Sequence, residues 1–361
     1  MIFIKYYKKY EFILILFFYF VLYLFTRHIP VHPDEAYYWQ WSNYLDFSYY
    51  DQGPGIAIYI YFLKQLVGDN LRLIGIISNL LAFLFFSLYS HFIFQKFGLK
   101  LSIIRLFLFF ISIPALLGIS FMTFHDSLLL ICWNASIFYF LKSFDYLKKH
   151  NTIHFTYYTL LILFLGLGTL TKYTMIHFII SLILFLLLKS NRNLFFKILR
   201  DFRFYIGIFI YLILILPILY WNYHHNWIGI DAIKYLRSSG GGFQSFSLHK
   251  YLLSFFFSLS PFYFFYLIVN INKIKKFYEE NDSIRFLVIN VVFVVIFFFV
   301  YSLSKEVQGN WIIMIYPVLS FLIYLMFELH IKRKFLYISM SIFCTIGFFN
   351  YIHNSSSRFF K

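Results

Sequence analysis

The residues best suited to chemistry are acids gathered near the start of the chain. They lie in His32-Pro33-Asp34-Glu35-Ala36-Tyr37-Tyr38-Trp39-Gln40-Trp41-Ser42 and in Asp51-Gln52-Gly53-Pro54-Gly55. Pro33 followed by two acids predicts a helix start with both carboxylates in its first turn. The Tyr and Trp run behind it is what a helix lying at a membrane interface carries. The Gly-Pro-Gly turn folds the chain back toward that helix, so Asp34, Glu35 and Asp51 should meet at one surface. A solvated loop whose acids merely cap a helix is the plainer alternative.

Three later segments add candidates. Phe121-Met122-Thr123-Phe124-His125-Asp126-Ser127 is a short loop with Asp126 at a predicted helix end. Gly166-Leu167-Gly168-Thr169-Leu170-Thr171-Lys172-Tyr173-Thr174 closes an apolar run on a lysine, which either snorkels to anchor its helix or meets an anion. Pro217-Ile218-Leu219-Tyr220-Trp221-Asn222-Tyr223-His224-His225-Asn226-Trp227 sets polar groups in an aromatic belt. There Trp221, Asn222, His224 and His225 are candidates for binding substrate. The two histidines could be acceptor contacts or divalent-metal ligands, although paired histidines at an interface are more often simple polar anchors. Gly240-Gly241-Gly242 reads as a connector or a lid. Cys132 and Cys344 both lie inside apolar runs and read as small buried side chains.

The elements that position these residues must be membrane helices. Of 361 residues 61% are hydrophobic and only 13% charged, about half the charge of a soluble domain. Mean hydropathy is +0.74. So few charges cannot cover a water-facing surface of this size, whereas lipid can solvate an apolar one. The expectation is an all-α polytopic bundle of about 11 spans, near 11–26, 73–94, 103–121, 127–144, 155–170, 173–189, 204–221, 250–270, 284–303, 311–329 and 335–351. The run 56–67 is too short to cross and suits an interfacial or re-entrant helix. The first run has no small-residue cleavage site behind it and reads as a retained span.

Charge placement orients the bundle. With the N-terminus inside, segments 5–9, 96–105, 142–149, 189–203, 273–285 and 332–334 are cytoplasmic and hold 21 of the 31 Lys and Arg. That asymmetry accounts for the net charge of +16 without nucleic acid. Eight of the 15 acids, among them Asp34, Glu35, Asp51 and Asp126, fall on the outer side, several of them at a predicted helix end. A transporter or lipid flippase, the alternative class, would set its ionisable residues within spans near the midplane.

The pattern Asp34-Glu35-Ala36-Tyr37-Tyr38-Trp39-x-Trp41-Ser42, with Tyr49-x-Asp51-x-x-Pro54 after it, resembles the bacterial branch of the protein O-mannosyltransferase and aminoarabinose transferase superfamily. These are glycosyltransferases of the GT-C fold that use sugars carried on polyprenyl phosphate. The loop of Asp126, the Gly-rich run ending in Lys172-Tyr173 and the Pro-x-x-x-Trp-Asn segment match family segments in order and side. His125 stands where the family often has proline, Gln52 where aminoarabinose transferases have lysine, and Tyr37 where they have arginine.

The resemblance implies an inverting transfer with Asp34 as general base on an acceptor hydroxyl. Glu35 and Asp126 would orient groups, or bind the sugar or a divalent metal ion. Asp51 and Tyr37 would contact substrate. The departing phosphate needs a cation, and Lys172 is the candidate. The expected protein is one membrane-embedded domain over 1–361, with no soluble C-terminal domain, in a bacterial inner membrane with its site facing outward. Its partners would be a polyprenyl-phosphate sugar, the bilayer and an envelope lipid, glycan or protein acceptor.

Overall fold

The computed structural model describes residues 9–229, 231 and 245–330. Helices α1 (Lys9–Thr26), α2 (Pro33–Asn43), α3 (Gly55–Val67) and α4 (Leu71–Lys96) lead into a pair broken by proline, α5 (Ile103–Ile111) and α6 (Pro114–Gly118). Then come α7 (His125–His150), α8 (Phe155–Thr171), α9 (Ile176–Leu187), α10 (Arg192–Arg200) and α11 (Phe202–His224). The last described helices are α12 (Ser245–Leu259), α13 (Pro261–Val269), α14 (Ile271–Glu280), α15 (Asp282–Ser302) and α16 (Tyr316–His330), the last entered through a 3₁₀ stretch at Gly309–Ile315.

Among the described residues five helical stretches are long and apolar enough to cross a membrane: α4, α7, α11, α15 and Gly309–Leu329. The number is seven if each of two bent pairs counts as one span. The expected count of 11 is therefore not reached among the described residues. One cause is local: the run 103–121 is cut at Pro114, which ends one short helix and starts another. Another is that 250–270 bends by 90° between α12 and α13. Ser260 takes a positive φ of 83° there and Pro261 opens the next helix. Helix α8 is apolar but only 17 residues long, and α3, at 13 residues, has the length expected of an interfacial segment. The predicted run 335–351, Cys344, Lys332-Arg333-Lys334 and Gly240-Gly241-Gly242 lie outside the described residues.

Helix α7 is the hub, flanked by α4 and α8. Apolar burial cannot distinguish protein from lipid inside a bilayer, so polar cross-links help set which faces meet. Trp133 Nε1 donates to Asn290 Oδ1 at 3.2 Å, Asn290 Nδ2 to Ser181 at 2.7 Å, and Asn134 Nδ2 to the Ala82 carbonyl at 3.2 Å, all buried. Helix α11 instead exposes Phe209, Leu212 and Leu216, as a lipid-facing helix must.

Charges separate to the two ends of this bundle. At one end Lys96 pairs with Asp145, Lys148 with Asp282 and Arg105 with Glu328. The other end holds Asp34, Glu35, Asp126 and Lys172. Alternation of the long helices produces this separation, and it matches the division of inner from outer segments expected from the basic residues.

Candidate active site

Helix α2 starts as the sequence predicts, with Pro33 in its first turn. A capping box closes it: Asp34 N donates to His32 Nδ1 at 3.2 Å and His32 N to Glu35 Oε2 at 2.9 Å. The first-turn acids then diverge, because consecutive residues on a helix point about 100° apart. Asp34 is exposed, its carboxylate 3.8 Å from the His32 ring. Glu35 is completely buried and takes the Arg72 guanidinium on both oxygens, at 2.5 and 2.7 Å. Its Oε1 also accepts Thr123 N at 2.9 Å.

Arg72 in turn donates to the carbonyls of Ile29 and Pro30. Glu35 and Arg72 therefore tie α2, the head of α4, the end of α1's trailing loop and the loop before α7 into one corner. Four hydrogen bonds leave Glu35 little capacity for substrate, and of the tasks expected of it the geometry suits the orienting of other groups. Gly75 allows the close fit: a Cβ there would lie 2.6 Å from the Phe121 carbonyl oxygen.

That corner fixes the entry to α7, whose first turn holds Asp126 three residues after Thr123. Asp126 is fully buried; its Oδ1 accepts Lys172 Nζ at 2.6 Å and its Oδ2 accepts Asn310 Nδ2 at 2.9 Å. His125 Nε2 lies 3.6 Å away. The cation and the acid that the sequence reading gave separate tasks are thus a buried ion pair. An ammonium has three donors and Asp126 occupies one.

The turn carrying Asp51 reaches the same end. Ser48 Oγ and Tyr49 N donate to the Gln52 carbonyl, and Trp41 stacks on Tyr49 at 4.1 Å. Gly53 and Gly55 lie directly on the last turn of α8, where a Cβ would come within 2.2 Å of the Leu170 oxygen and 2.6 Å of Thr171 Oγ1. Only glycine permits that approach, and it brings Asp51 beside the helix end that bears Lys172. Asp51 Oδ1 is buried without a hydrogen-bond partner. Burial pushes its carboxyl above the usual range and the Asp34 charge adds to the rise, while a backbone N–H and Tyr37 oppose it. Tyr37 is pushed up to about 12, first by burial and then by Asp51. The neighbouring Tyr38, packed edge-on against His125, is raised by burial and then by Asp51, Asp34 and Asp126 together. All three carboxylates therefore act on one phenol.

The α11 residues form an adjoining group. Trp221 Nε1 donates to Asp46 Oδ2 at 2.9 Å and its ring stacks on His225 at 4.0 Å. Asn222 is buried, its Nδ2 on the Ile218 carbonyl and its Oδ1 without a donor. His224 packs on Tyr220. Among the described residues no three His, Cys, Asp or Glu side chains group as metal ligands.

Residues 51–221 match the family model described as dolichyl-phosphate-mannose-protein mannosyltransferase. The fold matches ArnT from Cupriavidus metallidurans, in its apo state with a TM-score of 0.65 and bound to undecaprenyl phosphate with 0.69. The chain has the GT-C fold. Identity to ArnT is 15%, over 90–91% of this chain. The chain spans 61–62% of ArnT's length. No curated protein matches the sequence.

Within this GT-C chain the sequence reading missed Arg72, Thr123, Asn310 and Asp46. Arg72 had a signal, a lone arginine at the head of an apolar span. Asn310 stands in the Gly309-Asn310-Trp311 segment, but nothing local marks it as the partner of an acid 184 positions away.

Proposed function

We propose that the chain transfers a sugar from a polyprenyl phosphate to an envelope acceptor on the outer face of a bacterial cytoplasmic membrane. The observation that carries this reading is the division of labour among its acids. Glu35 and Asp126 are held in buried ion pairs, while Asp34, the acid that matches the superfamily's motif, stands exposed at the mouth of the cluster.

In this reaction an acceptor hydroxyl gives its proton to the Asp34 carboxylate as its oxygen attacks the anomeric carbon. The bond from that carbon to the phosphate oxygen breaks, and polyprenyl phosphate leaves with the electron pair. Lys172, with donors to spare beyond Asp126, meets the charge that grows on the phosphate. Asp51 and Asn222, each with a buried oxygen lacking a donor, are suited to accept from sugar hydroxyls, with Tyr37 beside Asp51. Trp221 and His225 shape the adjoining wall, and His224 is a candidate acceptor contact. ArnT's complex with undecaprenyl phosphate supports a carrier of that class here, and lipid A or another glycolipid, a surface polysaccharide or a secreted protein are the acceptor classes.

Mass spectrometry of envelope lipids, glycans and secreted proteins, from cells with and without the chain, tests the proposal. A species heavier by one sugar residue only when the chain is present is the expected result. Indistinguishable envelopes under conditions of normal expression would refute it.

A further inference from the structure

A second feature lies at the basic end of the bundle, away from these acids. Helices α7 to α11 line a partly open cavity of about 370 Å³ with an almost wholly apolar wall. That is more than twice the roughly 150 Å³ void that stays dry and admits a benzene ring. Two phenols in its wall have partners already: Tyr158 donates to the Phe204 carbonyl at 3.1 Å and Tyr211 meets Thr169 at 3.0 Å. The space therefore suits hydrocarbon.

Helix α10 contributes Phe195, Ile198 and Leu199 to that wall. The same helix carries Arg192, Lys197 and Arg200, has no acidic residue and buries none of its side chains. Among the described residues these three make no ion pair: Lys197 donates to Asn151, and Arg192 lies over Phe196. A short surface helix with one apolar and one basic side is how a protein meets an anionic leaflet.

We propose that this is a binding site for one anionic phospholipid of the inner leaflet, its acyl chain in the cavity and its phosphate on the basic side of α10. The leaflet follows from the basic-residue asymmetry; the site itself does not depend on the transferase reading. Charge selects the occupant, since a zwitterionic lipid brings no net charge to these three cations and its own ammonium group opposes them.

Native mass spectrometry of the purified full chain tests this with dioleoyl phosphatidylglycerol, dioleoyl phosphatidylcholine and a polyprenyl phosphate as probes. One tightly held phosphatidylglycerol is expected, bound at least about tenfold more strongly than phosphatidylcholine. Each neutralised charge near an anionic headgroup should weaken binding about fivefold, so R192Q/K197Q/R200Q should abolish the preference. Ile183→Trp, which fills the cavity from a half-exposed wall position, should lower occupancy while the charge is unchanged. Equal binding of the two phospholipids, full retention by the triple variant, or no effect of Ile183→Trp in folded protein would each overturn the proposal. So would a polyprenyl phosphate that displaces phosphatidylglycerol and binds more tightly, which would assign the cavity to the donor's tail. If Ile183→Trp fails to fold, the triple variant decides.

Discussion

Replacing Lys172 by Met removes a charge and keeps most of the volume, so the structure fixes what must follow. Lys172 is buried, and its Nζ is 2.6 Å from Asp126 Oδ1. An exposed pair would contribute about 1 kcal/mol or less. Removing one partner of a buried pair costs about 3–5 kcal/mol, because the other charge stays desolvated. Asn310 at 2.9 Å satisfies only one oxygen of Asp126. Lys172→Met should therefore lower the thermal transition of the solubilised protein markedly and reduce its level in the membrane. Neutralising the orphan as well, in Lys172→Met/Asp126→Asn, should recover most of that loss, giving a coupling of about 2 kcal/mol or more. The double variant also isolates function: if Lys172 meets the donor phosphate, restored folding will not restore transfer. The assay is a thermal melt at matched lipid and detergent, run beside transfer. A single variant that melts like the wild type would refute the buried pair, and full transfer by the double variant would refute the phosphate role.

Glu35→Gln should act through folding, since it breaks the buried ion pair in which Arg72 Nη1 donates to both carboxylate oxygens; a loss of about 3–5 kcal/mol would appear as lower membrane levels, and a variant stable but inactive would contradict the positioning role. Asp51 has a raised native pKa, so its protonated form is the one the fold favours. That contribution is full below the ordinary 3.8 and is lost as pH rises through the raised value. Asp51→Asn, neutral throughout, should raise the thermal transition at pH 7 and lose its advantage toward pH 3.8; no gain at neutral pH would refute the burial argument. Single cysteines at the exposed Asp34 or His224 should label with an impermeant reagent from outside and those at Lys273 or Lys276 only after lysis, and the reverse pattern would invert the topology.

Much of the candidate site was legible because it is local. Pro33, the paired acids and the Gly-Pro-Gly turn act within a few residues, and α2 and the turn after it form as their sequence dictates. What could not be read is partnership across the bundle. Consecutive acids look equivalent in a sequence, yet the helix turns Glu35 inward to Arg72 and leaves Asp34 outside. Lys172 and Asp126 appeared as separate tools because nothing local reveals that their helix ends touch. The expected span count is not reached among the described residues for a related reason. Hydropathy registers that a segment such as 103–121 is apolar, but not that Pro114 breaks it, and a broken segment can remain buried without crossing.

The most direct measurement is release of polyprenyl phosphate, the product common to every sugar and acceptor. The purified chain, its Asp34→Asn variant and a blank are incubated with polyprenyl-phosphate sugars and envelope extract from the native host, and the free carrier is quantified by mass spectrometry. The account predicts time-dependent release by the wild type and none above the blank by Asp34→Asn, at equal protein and equal melting temperature. Release by the variant at the wild-type rate would remove Asp34 from the chemistry, and no release by the folded wild type would contradict the transferase itself.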